Sequence, residues 1–308
     1  MDLIPNRSQD TIAPGYPYFA GMQAPGTFPI PGGFHIEGAK QQIFAAMRGR
    51  TSTDVNIPLM WYLLPILAAI IGAVVVTAIA VYEIFVSGIL DWPVGYVPTS
   101  AQIFGAIGWT LVTSIIVAII VVVLFAILTH MMVERLNNHY ARETHLRMGI
   151  ISFVRAAAGS PEKEAMIASE IATMNMIQSE ASRDEQQHTS ILWALLIVFG
   201  WILPIVYEIL LAYMFYFLMR PVFRHDRRWY DFLAQANSAL GKLGYKVQPQ
   251  YGPRPLPDRS YVIYIVLTIV TFGLFGLYWW YVLVDDPNEH FRNQAYLEDS
   301  LANAIAQK

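Results

Sequence analysis

Residues 101–132 read AQIFGAIGWTLVTSIIVAIIVVVLFAILTHMM, a run of 32 positions without one Asp, Glu, Lys or Arg. Crossing the hydrocarbon core of a bilayer takes roughly 20 apolar residues, so this stretch can span a membrane. Three further blocks behave alike: 57–86, 190–219 and 261–284, of 30, 30 and 24 residues. Across all 308 residues, 55% are hydrophobic and 14% charged, where a soluble domain carries about a quarter charged residues. The expected fold class is all-α: a polytopic helical membrane protein with about four membrane segments. A secreted domain, a soluble enzyme and a lipid-anchored nucleic-acid-binding module are excluded.

The formal net charge of −3 gives no field that would attract nucleic acid. With no cysteine, there are no disulfides, thiolate nucleophiles or cysteine metal sites. The 56 mostly polar residues before the first block do not form a cleavable leader, so that block reads as an uncleaved anchor. Within residues 1–56 lies a Pro/Gly/aromatic-rich tail without the period that builds a core, expected to be disordered or wrapped on a partner. A short amphipathic helix follows over 37–50, with Ile43, Phe44 and Met47 on one side, expected to lie at the membrane surface.

Lys and Arg gather on the cytoplasmic side of membrane segments. Lys40, Arg48 and Arg50 precede the first block, whereas residues 87–100 contain neither Lys nor Arg. The N-terminus is therefore expected in the cytoplasm, residues 57–132 forming a transmembrane hairpin. Residues 133–189, with six basic residues, return to the cytoplasm. Beyond that point charge and alternation conflict. Four full spans would place 220–260 outside, yet it holds eight basic residues and three acidic ones. The other arrangement bends 190–219 back at Gly200-Trp201-Ile202-Leu203-Pro204 as a re-entrant hairpin. Both remain open on sequence alone.

Residues 133–158 and 162–189 are matched helical patterns around Gly159-Ser160-Pro161, where Ser160 is a natural N-cap and Pro161 a natural first helical residue. The first arm has a stripe of Leu136, Tyr140, Leu146, Ile150, Phe153 and Ala157, broken by Glu143; the second has Ile167, Ile171, Met174, Ile177 and Ala181. A long cytoplasmic antiparallel helical hairpin is expected, of coiled-coil character, projecting on the order of 40 Å as a stalk or as a docking surface.

Residues 190–308 hold a repeat at an offset of 65: Tyr213/Tyr278, Tyr216/Tyr281, Leu218/Leu283, His225/His290 and Arg227/Arg292 are identical over fifteen positions. Each copy reads as a membrane segment followed by an amphipathic helix, the first striped by Trp229, Phe232, Leu233, Ala236, Leu240 and Leu243, the second by Phe291, Leu297, Leu301 and Ile305. The linker over 248–257 separates them. Within the second copy, Thr271, Gly273, Phe275, Gly276, Tyr278 and Trp279 resemble the Thr-x-Gly-Ile-Tyr-Gly-x-Tyr-Trp signature of domain-of-unknown-function family 4234. These are small prokaryotic membrane proteins that often carry the signature twice. The resemblance covers the C-terminal third and implies a prokaryotic cell membrane and no specific chemistry.

Glu208 is the sole ionisable residue within 190–219. A charge at such depth is costly, so it is the intramembrane polar candidate: a proton or cation site, or a neutral carboxyl bonded to Thr110, Thr113 or Ser114. Glu83 reads as an interfacial residue without special role. Arg220, Arg224, Arg227 and Arg228 are expected to contact lipid headgroups, as are His225 and His290. His130 and Glu134 share a helical face, but His139 and His145 do not keep to it, so no metal site, cofactor or catalytic residue is assigned. The functional expectation is a non-enzymatic scaffold, assembly or regulatory subunit in the cell membrane. Its expected partners are lipids and either copies of itself or a membrane complex. The alternative is a small channel or transporter using Glu208.

Overall fold

The computed structural model describes residues 36–87, 95–247 and 254–306, all helix or connecting turn among those residues. The N-terminal tail over 1–35, Trp92 and most of the 248–257 linker lie outside them. The order is α1 (Ile36–Thr53), α2 (Leu59–Val86), α3 (Ser100–Ala158), α4 (Pro161–Met166), α5 (Ala168–Asp184), α6 (Ser190–Phe199), α7 (Pro204–Lys242), α8 (Tyr261–Val270) and α9 (Leu274–Ala306). Three of these, α2, α3 and α7, are long and apolar enough to cross a membrane. The chain is a helical membrane protein.

Helix α3 starts at a capping box, Thr99 with Gln102, and runs 59 residues to Gly159, about 90 Å at 1.5 Å per residue. Its first half and α2 present exposed Ile, Val, Leu and Phe side chains, as lipid-facing helices do. Its second half enters a compact polar-end bundle. Ala39, Ile43 and Ala46 of α1, Ile171, Met174 and Ile177 of α5, and Trp229, Phe232 and Leu240 of α7 are buried there with Ile150 and Phe153 of α3. The expected stripes are all used, but inside the chain. Helix α1 packs against α3, and α4–α5 turn back along the second half of α3 as the expected antiparallel hairpin, with α5 also packed against α7. The amphipathic stripes of the two repeats continue directly from α7 and α9.

The two repeats are helical hairpins. In the first, α6 ends in a 3-10 turn at Gly200–Ile202, and Pro204 opens α7. Trp193 packs on Tyr213 and Phe217, and the His188 ring stacks 3.9 Å from that of Phe217, so both ends of the segment stand at one level. In the second, Thr271 ends α8 and Gly273 turns at φ 89° before α9. Tyr261 and Tyr264 then pack on Trp279. Ten-residue α6 and α8 extend only about 15 Å each, half of a bilayer core. In this bent arrangement the part of α7 beyond Arg220 packs beside the second half of α3, which carries residues 133–158. The charge conflict of the sequence disappears with it.

Candidate metal centre

Where α3, α7 and α9 leave the apolar layer, polar side chains replace the core. His139 and Glu143 lie one helical turn apart on α3, hence on one face. His225 follows Pro221 on α7, and His290 follows Pro287 on α9. A helical proline frees the carbonyl four residues earlier. At Pro287 that group is Leu283 O, which accepts from Arg135 Nη2 at 3.0 Å, while Arg135 Nη1 donates to Asn288 Oδ1 at 2.7 Å. Asn288 in turn pairs with both backbone groups of Ile57, fixing α9 beside α3 and the entrance to α2.

His139, Glu143, His225 and His290 are all at most 1% exposed. Each histidine is held through Nδ1 by its own carboxylate: His139 by Asp54 at 3.0 Å, His225 by Glu185 at 2.8 Å and His290 by Asp226 at 2.7 Å. An ionised carboxylate only accepts, so these bonds place a ring proton on Nδ1 of each histidine; at His225, Nε2 also donates, to Glu143, and would offer its lone pair only once a cation displaced that proton. The three Nε2 atoms converge. His139 Nε2 is 3.0 Å from His225 Nε2 and 3.2 Å from His290 Nε2. Glu143 Oε2 joins them at 2.6 Å from His225 Nε2 and 3.3 Å from His139 Nε2. One donor atom from each residue falls within 4.8 Å of the others. A tetrahedral Zn²⁺ with bonds near 2.0–2.1 Å would space its nitrogens by about 3.3 Å.

The surroundings supply excess negative charge. Arg142 bonds Asp54 and Glu298, Arg147 bonds Glu143 and Glu185, and Arg228 bonds Glu185 and Asp184. Of the four carboxylates touching the histidines, Asp54, Glu143 and Glu185 meet these three guanidinium groups, and Asp226 pairs with none among the described residues. Burial pushes the Glu143 carboxyl up, but Arg147 and His225 outweigh it and hold the group well below the usual carboxylate range. Asp54 is likewise held low by His139 and Arg142 against its burial. Burial lowers His225, yet Glu143 and Glu185 more than offset this and push it up to about 9. His290 is pulled down by burial, which its bond to Asp226 only partly opposes.

The histidine pair that the repeat singled out is here in full, buried at the centre and away from lipid headgroups. Arg228 is also turned inward, onto Glu185 and Asp184. Arg224 and Arg220 stay at the surface near Asp184 and Asp258, and Arg227 lies over the Phe223 ring. Of the histidines on α3, only His139 belongs to the centre; Glu134 instead accepts from Ser190 Oγ at 2.7 Å, and His145 offers its carbonyl to Gln42. Glu208 lies exposed on α7, one turn beyond Pro204. The hydroxyls of Thr110 and Ser114 are engaged elsewhere. Glu83 takes one of the partners expected for Glu208, Thr110: it accepts from Trp109 N, Thr110 N and Thr110 Oγ1 at 2.7, 3.1 and 2.6 Å.

The signature residues build the second hairpin's turn. Thr271 Oγ1 accepts from Phe275 N, Gly273 takes the left-handed conformation, Gly276 faces the Thr268 methyl, which a Cβ would meet at 3.7 Å, and Trp279 is buried against Phe215. Residues 259–304 match the family model described as Domain of unknown function (DUF4234). The signature read in the sequence is that family's. No curated protein and no solved structure matches the chain. The DUF4234 segment contains His290 but not His139, Glu143 or His225, so the four-residue centre draws three of its members from outside it.

Proposed function

We propose that this protein is a non-enzymatic membrane scaffold whose polar end is organised around one divalent transition-metal ion, Zn²⁺ by ligand type and number. The observation that carries this is the convergence of three Nε2 atoms and a carboxylate oxygen in a buried interior. A divalent cation would take the place of the His225 Nε2 proton and hold the three imidazoles and the Glu143 carboxylate together. Carboxylate partners on the far ring nitrogen are the usual outer support of metal-bound histidine. Four protein ligands are a closed set, as in structural zinc sites; a catalytic zinc keeps a position open. The ion would tie together α3, α7 and α9, and so fix both hairpins relative to the membrane-crossing pair. Gathering of the basic segments on one side supports a cytoplasmic placement of this end in a cell membrane.

The test is metal analysis of the protein purified in detergent. One equivalent of zinc per chain is expected, falling below about a tenth in His290→Ala. Chelation should lower the unfolding temperature, and zinc should restore it. A metal-free protein whose unfolding is indifferent to chelator and to added zinc would overturn the proposal.

A further inference from the structure

The two hairpins differ at the membrane edge, and the difference defines a second site. In the second hairpin, Arg259 reaches back to Asp286 through two bonds of 2.8 and 3.0 Å and lies 3.3 Å from the hydroxyls of Tyr264 and Tyr278. Its edge is plugged by the chain's own guanidinium. Tyr278 corresponds to Tyr213 in the first hairpin, where no such plug stands among the described residues. There a cleft of about 200 Å³ opens between the α5–α6 connection and α7, lined by Arg183, Asp184, His188, Tyr213, Tyr216 and Arg224.

The charges are also exchanged between the copies. At the offset of 65, Arg220 corresponds to Asp285, Pro221 to Asp286 and Arg224 to Glu289. The edge that is acidic and self-filled in one hairpin is basic and open in the other. Arg183 makes no ion pair among the described residues, and Arg224 holds Asp184 only at 3.5 Å, because Arg228 takes the same carboxylate at 2.6 Å. On the same two helices, Ile191 and Leu192 of α6 and Ile209 of α7 are more than half exposed, apolar surface of the kind acyl chains cover.

We propose that this cleft binds the phosphate of an anionic phospholipid between Arg183 and Arg224, with Tyr213 and Tyr216 at the glycerol level and the acyl chains along α6 and α7. Phosphate is the shared chemistry with a free anion, and the apolar surface selects the lipid. Anionic lipids in the cytoplasmic leaflet attract basic groups placed at its surface, and arginine matches phosphate geometry with paired donors.

The full-length protein reconstituted in phosphatidylcholine nanodiscs with a minority of phosphatidylglycerol tests this, with retained lipid counted by native mass spectrometry after mild delipidation. The wild type should keep one phosphatidylglycerol that Arg183→Gln/Arg224→Gln keeps about tenfold less often or worse. Arg227→Gln, whose guanidinium lies over Phe223 and lines no part of the cleft, should match the wild type. Inorganic phosphate in excess should leave the lipid in place. Equal retention by wild type and double variant would overturn the proposal. Displacement of the lipid by inorganic phosphate would overturn it in favour of a free-anion site.

Discussion

The first hairpin, α6–α7, and the second, α8–α9, derive from one repeated pattern, and each delivers one histidine to the same point, yet they are built differently at every level. The first turns through a 3-10 segment into Pro204; the second turns through Phe272 and Gly273, both at positive φ. At the edge one is open and basic, the other plugged by Arg259. At the centre, His225 is pressed by Glu143 and Glu185, with Arg147 and Arg228 behind them, whereas His290 has Asp226, which also accepts from Leu256 N at 2.8 Å. The shared element is the position of the imidazole. A repeat can diverge in turn and edge while the inward-facing residue stays, since only that residue must meet groups from the other elements.

The comparison is tested most severely by removing the two supporting carboxylates. Glu185→Gln leaves two buried guanidinium groups short of a partner and should cost about 3–5 kcal/mol, as for one-sided loss of a buried ion pair. Asp226→Asn keeps an acceptor oxygen and strands no arginine, so about 1–3 kcal/mol is expected. Both should weaken zinc binding by about 10–100-fold. Chemical denaturation and zinc titration of the two variants measure these, and equal destabilisation would break the asymmetry between the hairpins.

A smaller effect is expected at the turns. A Cβ on Gly200 would stand 2.2 Å from the Tyr207 ring, so Gly200→Ala should cost about 1–3 kcal/mol from overpacking and be relieved by Tyr207→Ala. Gly273, at φ 89° with open space around it, should cost about 1–2 kcal/mol as alanine from backbone strain alone, with no rescuing partner. Rescue of both by side-chain trimming, or of neither, would show that the turns are held the same way.

Much of this was legible in the sequence, and the exceptions share a cause. The four apolar blocks, the cap at Ser160, and the stripes from Trp229 to Leu243 and from Phe291 to Ile305 follow from local period and composition. The pairing of His225 with His290 was visible as a repeat, and Glu143 stood out as the break in an apolar stripe. Assembly of the centre was not visible, because its parts are spread from Asp54 to His290. His130/Glu134 and His139/Glu143 have the same spacing, and only the packing of α7 and α9 distinguishes them. Glu208 drew attention by depth along the chain, but the bend at Gly200 places it beside the hairpin's tip, on an exposed face. Glu208→Gln should therefore change neither zinc content nor the unfolding midpoint, the smallest effect expected, and a loss of bound zinc in that variant would contradict the placement.

The central claim is tested most directly by X-ray absorption at the zinc edge on the purified full-length protein. Three nitrogens and one oxygen at about 2.0–2.2 Å, with outer-shell scattering from three imidazole rings, are expected. In His225→Ala the imidazole count should fall, or the metal should be lost altogether. A wild-type protein that binds no zinc, or holds it with fewer than three imidazoles, would contradict the assignment of His139, His225 and His290 as a metal centre.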